Sequence, residues 1–151
     1  MRVENAVFPG TEQVTAFFGG PENGPFVMVN LLKFKETAEY ADGSDADLSG
    51  AKAYARYGKG IQACLAAVDG KQIYAGPVTG LMIGEVEELW DTVAIAMYPN
   101  RQAMIEMMQS EEYQAIHHHR DAGLAGQLNI ETTNAAGLWL GAGGFKMDEP
   151  G

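Results

Sequence analysis

The chain has 151 residues, a formal net charge of −10 and a hydrophobic content of 46%, which suits one globular domain with its own core. The acidic balance argues against nucleic acid or an anionic membrane surface as partner, and a single cysteine, Cys64, excludes an internal disulfide framework. No apolar run reaches the roughly 20 residues of a membrane span and the first residues lack a signal peptide's apolar stretch, so a soluble, cytoplasmic protein is expected.

Pro9-Gly10 marks a turn, after which Thr11 is placed to cap a short helix. That helix carries Val14, Phe17 and Phe18 and stops at Gly19-Gly20-Pro21. Phe26 to Phe34 reads as a strand so continuously apolar that both its faces need cover. Asn30 is its polar exception, bonded to a neighbouring loop or set in a pocket wall. Residues 36–50 are polar and Gly-rich and read as a mobile loop. Their alternating aspartates resemble a calcium loop, but Ala53 stands where the bidentate acid belongs.

A helix is expected from about Ala51 to Val68, with Tyr54, Tyr57, Ile61, Cys64, Leu65 and Val68 as its apolar stripe. Gly58 and Gly60 within it point to close backbone packing or a kink. Extended signals follow at 72–75 and 80–84, with a bend at Gly76-Pro77. Thr92 to Tyr98 is the next strand. Val93, Ile95 and Met97 share one face, and the small Ala94 and Ala96 leave room on the other for a helix or a cavity. Asn100 caps a Met-rich helix and Ser110 a second one. On the second, Tyr113, Ile116, His117 and Arg120 share a face. Residues 127–132 alternate as a last strand. A Gly-rich tail from 134 holds Leu138, Trp139, Leu140 and Phe145, which suggest that it docks.

With the first helix set aside, the order is strand, helix, strand, strand, helix, strand. This is the α+β, ferredoxin-like βαββαβ arrangement: a four-stranded antiparallel sheet with helices on one face. One domain over 1–151 is expected, with a helical extension at 1–24, a core at 25–133 and a tail at 134–151. The uncovered sheet face then calls for a second subunit.

Adjacent histidines on a helix diverge by about 100°, so His117-His118-His119 does not converge on one ion, and no metal is expected. Neither a Gly-x-Ser-x-Gly elbow nor a Gly-x-Gly-x-x-Gly fingerprint occurs, and no cofactor is expected. Asp91, opening a strand, is a turn residue or a general base. Cys64 reads as a core residue. The polar side chains left on apolar elements are Asn30, Tyr54, Tyr57, Tyr98, His117 and Arg120. They are the candidate site, set against the alternative that tyrosines bury their rings and the arginine pairs with a nearby acid.

Four stretches also resemble a known family: Pro25 to Phe34; Ser49-Gly50 with Ala53-Tyr54 and Tyr57-Gly58; Gly84 with Trp90-Asp91 and Tyr98-Pro99; and Glu112-Tyr113-Gln114 with His119-Arg120. Together they are similar to the DUF1330 family of the dimeric α/β-barrel superfamily, over roughly residues 25–133. The resemblance implies a subunit whose sheet pairs with a second sheet in a homodimer, and no settled activity. The superfamily spans cofactor-free monooxygenases, haem-degrading enzymes, dehalogenases and stress proteins, and fold does not choose among them. Two functions stay open. One is a non-catalytic homodimer with a small-molecule pocket between sheet and helices. The other is a cofactor-free monooxygenase-, isomerase- or decarboxylase-like enzyme. There His117 acts as acid or base, and Asn30 and Tyr57 orient the substrate. In either, Arg120 is suited to read a carboxylate or similar anionic group on the ligand.

Overall fold

A computed structural model describes residues 1–22 and 24–133, and the backbone of 138–141 and 144–147. Its elements are α1 (Thr11–Gly19), β1 (Phe26–Phe34), α2 (Gly50–Ala66), β2 (Lys71–Pro77), β3 (Thr92–Tyr98), α3 (Arg101–Gln109), α4 (Glu111–Gly123), β4 (Leu124–Thr132), β5 (Leu138–Gly141) and β6 (Gly144–Met147). β1 to β4 form one sheet in the order β2-β3-β1-β4, each neighbouring pair antiparallel. This is the ferredoxin-like α+β fold expected from the sequence. β5 and β6 form a separate hairpin. The side chains of the tail, and so the expected docking of Leu138, Trp139, Leu140 and Phe145, lie outside the described residues.

β1 and β3 have the expected bounds, because each is an apolar run with a proline at one end, Pro25 before β1 and Pro99 after β3. Elsewhere the boundaries shift. Gly10, not Thr11, caps α1, and the Gln13 side chain reaches back 2.9 Å to accept from the Gly10 amide. α2 starts one residue early, at Gly50, with Ser49 accepting from the Lys52 amide. β4 begins three residues before the alternating stretch, because Phe34 pairs with Leu124 and Lys35 donates to the Gly123 carbonyl. Residues 80–84 form no strand. They belong to the bends joining β2 to β3, with Leu81, Met82 and Ile83 exposed. Residues 36–49 are held at several points: Ala38 bonds Leu48, Tyr40 bonds His119, and Arg56 pairs with Asp45 at 2.8 Å.

The pleat sorts the sheet. Phe26, Met28 and Leu32 of β1 and Tyr98 of β3 are buried, and Phe26, Met28 and Tyr98 pack against Cys64, Leu65 and Met107 of the helices. Cys64 is thus a core residue. The same face carries Asn30, Ala94 and Ala96. The opposite face carries Val27, Val29 and Leu31, paired with Met97, Ile95 and Val93 on one side and with Thr132, Ile130 and Leu128 on the other. Ile130 and Tyr74, on this face, stay exposed. Among the described residues no helix lies on this apolar surface. α2 and α4 approach each other closely: a Cβ on Gly60 would lie 2.8 Å from Ile116, and one on Gly123 would strike the Gly50 carbonyl.

Candidate functional site

The alanines of β3 leave a cavity. It has a volume of about 650 Å³ and lies between the helix-bearing face of the sheet and the helices, within the usual range for a small-molecule pocket. All six residues singled out from the sequence line it: Asn30, Tyr54, Tyr57, Tyr98, His117 and Arg120. Asn30 is a wall residue. Its Nδ2 donates to the Ala94 carbonyl across the sheet at 3.1 Å, and its Oδ1 accepts from Asn129 Nδ2. Its partners are strands, not a loop.

α2 brings Tyr54 and Tyr57 to the cavity one helical turn apart, with ring centroids at 5.2 Å. Tyr113 of α4 adds a third ring edge-on to Tyr57, and Tyr98 stacks on Phe26. Burial, which disfavours the phenolate, pushes Tyr54 up to about 12 and Tyr57 well above its ordinary value, and raises Tyr98 too. These hydroxyls stay protonated, and so able to donate, at neutral pH. Neither Tyr54 nor Tyr98 has a hydrogen-bond partner among the described residues. Neither is sealed off either: the one wholly buried, unpartnered side-chain polar atom among these residues is Arg101 Nε.

His117 lines the cavity from α4. Its ring stacks on Tyr113 at 6.1 Å, and its Nδ1 is 3.3 Å from Asp121 Oδ2. With Nδ1 so occupied, Nε2 is the nitrogen left for a ligand. Asp121 also meets Arg120, whose Nη1 lies 3.2 Å from Oδ1, while Arg120 Nη2 donates to the Val7 carbonyl at 2.5 Å. Asp121 thus meets the alternative open to Arg120 from the sequence, pairing with a nearby acid such as Glu112 or Asp121; its contact with His117 is an addition that the i, i+4 spacing could have signalled. His118 and His119 turn elsewhere. The His119 imidazole bonds Tyr40 at 2.7 Å, and burial and the neighbouring His118 lower its pKa. Among the described residues no three histidine, cysteine or acidic side chains gather as a metal would require.

Asp91 is a strand anchor. Its Oδ2 accepts from the Phe34 amide at 2.8 Å and its Oδ1 faces Lys33. This also holds Lys33 charged, though the larger cause of its raised pKa is Glu88.

The N-terminal extension, set aside in the sequence argument, supplies one wall of the cavity through residues that include Ala6, Val7, Phe8 and Phe17. Ala6 pairs with Gln127 by two backbone bonds, Trp90 Nε1 donates to Asn5, and Arg120 grips Val7. Arg101 fastens the wall behind. It lies 4.4 Å over the Phe17 ring and holds Glu131 by two bonds of 2.7 and 3.0 Å, which lower the Glu131 pKa.

Residues 44–131 match the family described as "Domain of unknown function (DUF1330)". No curated protein matches the sequence. Among solved structures, the chain is similar to RPA0582, a protein of unknown function from Rhodopseudomonas palustris: 31% identity, 86% of this chain and 97% of that one covered, TM-score 0.75. A structure of methylated RPA0582 matches at 32% identity, with 85% and 94% covered and a TM-score of 0.76. A dimeric protein of unknown function and ferredoxin-like fold from Bacteroides fragilis matches at 12% identity, with 74% and 97% covered and a TM-score of 0.49. Among the described residues no helix is long and apolar enough to cross a membrane.

Proposed function

The chain belongs to the DUF1330 family, and from that premise we propose that it is a homodimer whose subunits each bind a small, largely apolar molecule between sheet and helices. One observation carries the binding reading. A cavity of about 650 Å³ has a mostly apolar lining with polar side chains, Asn30, Tyr54, His117 and Arg120 among them, set into it, the usual anatomy of a ligand site. The pairing reading rests on the apolar sheet face of Val29, Leu31, Ile95 and Ile130, which has no helix over it among the described residues. A second copy is the economical cover for such a face. The single, buried Cys64 suits a reducing compartment, and we take the cytoplasm as the location.

The carboxylate expected at Arg120 meets competition, because the guanidinium already serves Asp121 and the Val7 carbonyl. An anionic ligand must share it with Asp121 or displace the strap at Val7. A second reading, a cofactor-free enzyme, is favoured by His117 with Asp121 behind it. His117 would take a proton from the substrate at Nε2, and the carboxylate would steady the imidazolium. Asn30 and Tyr57 would orient the substrate.

The experiment is a thermal-shift and calorimetric screen of small aromatic ligands against wild type and His117→Ala. Saturable binding with one site per subunit supports the pocket. Binding kept while turnover is lost in the variant supports the enzyme. No saturable binding across the screen rules the pocket reading out.

A further inference from the structure

We propose that the cavity is built for an uncharged ligand, an aromatic carbonyl compound, whose oxygen takes its hydrogen bonds from Tyr54 and Tyr98. The inference rests on the pocket reading and narrows its ligand class.

The charged ones are committed. Glu131 is held by both Nη atoms of Arg101, Asp121 lies against Arg120 and His117, and Glu4 pairs with Arg2. Arg120, the one lysine or arginine on the wall among the described residues, spends one Nη on Asp121 and the other on the Val7 carbonyl. An ion brought into this space loses its hydration and finds no uncommitted counter-charge, and that cost is large in apolar surroundings.

The uncommitted groups are neutral. The hydroxyls of Tyr54 and Tyr98 have no protein partner among the described residues and are not sealed from solvent. Burial keeps both phenols protonated, so each has a hydrogen to give and, among the described residues, no partner to take it. A ligand carbonyl, which accepts and does not donate, is their complement. Asn129 adds a further neutral group. Its Nδ2 is fixed on Asn30, which leaves its carbonyl oxygen to accept. The sheet brings the methyls of Ala94 and Ala96 and the side chain of Met28 to the cavity, which is walled on the helical side by Met104, Met107 and Ile61. A flat apolar ring fits there at no polar cost.

The test compares two molecules of one shape, 2-naphthamide and 2-naphthoate, near neutral pH, where the second is fully ionised. Titration calorimetry on the full chain should show the amide binding about tenfold or more tighter, given the desolvation cost of the carboxylate. Tyr54→Phe should weaken the amide by roughly two- to tenfold, the range for one neutral hydrogen bond, and leave naphthoate nearly unchanged. Naphthoate binding as tightly as the amide, or more so, overturns the proposal while the pocket itself stands. A Tyr54→Phe variant with unaltered preference overturns the role given to the phenol. If neither molecule binds at about 1 mM, the pocket reading falls together with this inference.

Discussion

Gly58 and Gly60 lie two residues apart on α2, and the structure gives them opposite roles. A Cβ on Gly58 meets nothing within 4 Å, whereas one on Gly60 would stand 2.8 Å from Ile116 Cγ2 and 3.0 Å from its Cδ1. Both substitutions gain about 1 kcal/mol of helix propensity over glycine. For Gly58→Ala that is the whole effect, worth about 2–4 °C in melting temperature for a chain of this size. Gly60→Ala also drives a methyl into a β-branched side chain, which has little rotamer freedom on a helix. Overpacking of this kind costs about 1–3 kcal/mol. The net result runs from about neutral to 2 kcal/mol destabilising, so the two variants should differ by roughly 1–3 kcal/mol. Urea unfolding of both, with Ile116→Ala and the double variant to complete the cycle, isolates the contact. Ile116→Ala should relieve Gly60→Ala, with a coupling of about the same size. If the two glycine variants stabilise the protein equally and show no coupling to Ile116, the close approach of α2 and α4 is wrong.

Three further outcomes are expected. Tyr54 keeps its proton in the folded state to about pH 12, whereas an unfolded tyrosine loses it near 10. Between those values the native state binds the extra proton, so stability falls as pH rises, by about 2 kcal/mol by pH 12. Urea midpoints against pH should show that loss, and Tyr54→Phe should blunt it. Arg120→Lys cannot serve both the Val7 carbonyl and Asp121 in the same fork geometry. It should cost about 1.5–3 kcal/mol and speed proteolytic cleavage within residues 4–9, and unchanged cleavage would show that the strap is held by other contacts. Ile95→Lys puts a charge among Val29, Tyr74 and their neighbours on the uncovered sheet face. Light scattering should show wild type near twice 16.2 kDa and the variant near a single subunit, and a wild-type monomer at micromolar concentration would refute the pairing.

The fold was legible where local pattern and tertiary need coincide. β1 and β3 are apolar runs limited by prolines, and α3 and α4 open on Asn100 and Ser110, which accept from the backbone three residues on. It was less legible where pairing decides. Leu81-Met82-Ile83 has the composition of a strand, yet β2 pairs with β3 only as far as Pro77 opposite Thr92. Leu124-Ala125-Gly126 has the composition of a helix end, yet β1 is long enough to draw it into the sheet. In both places the deciding atoms sit on a strand distant in sequence, where periodicity carries no information.

The same division runs through the candidate site. Helical spacing alone put Tyr113, His117 and Arg120 on one face, and strand alternation put Asn30 with Ala94 and Ala96. Spacing could not say what those side chains are already bonded to. Arg120 looked free to read an anion because its partner carbonyl, at Val7, lies at the far end of the chain. Once that bond and the Asp121 contact are counted, the arginine serves the strap and the His117 end of the cavity together. Among the described residues the phenols of Tyr54 and Tyr98 then stand unspent, beside the Asn129 carbonyl and His117 Nε2. Tyr54 and Tyr98 come from elements that the apolar pattern alone assigns to the core. Tyr98 does belong there by burial, and both residues also line the cavity beside the alanines. Tyrosines on a wall that also carries Ala94 and Ala96 thus bring apolar surface and hydrogen-bond donors to one place. That is why the ligand chemistry of this fold is better sought at its tyrosines than at its arginine.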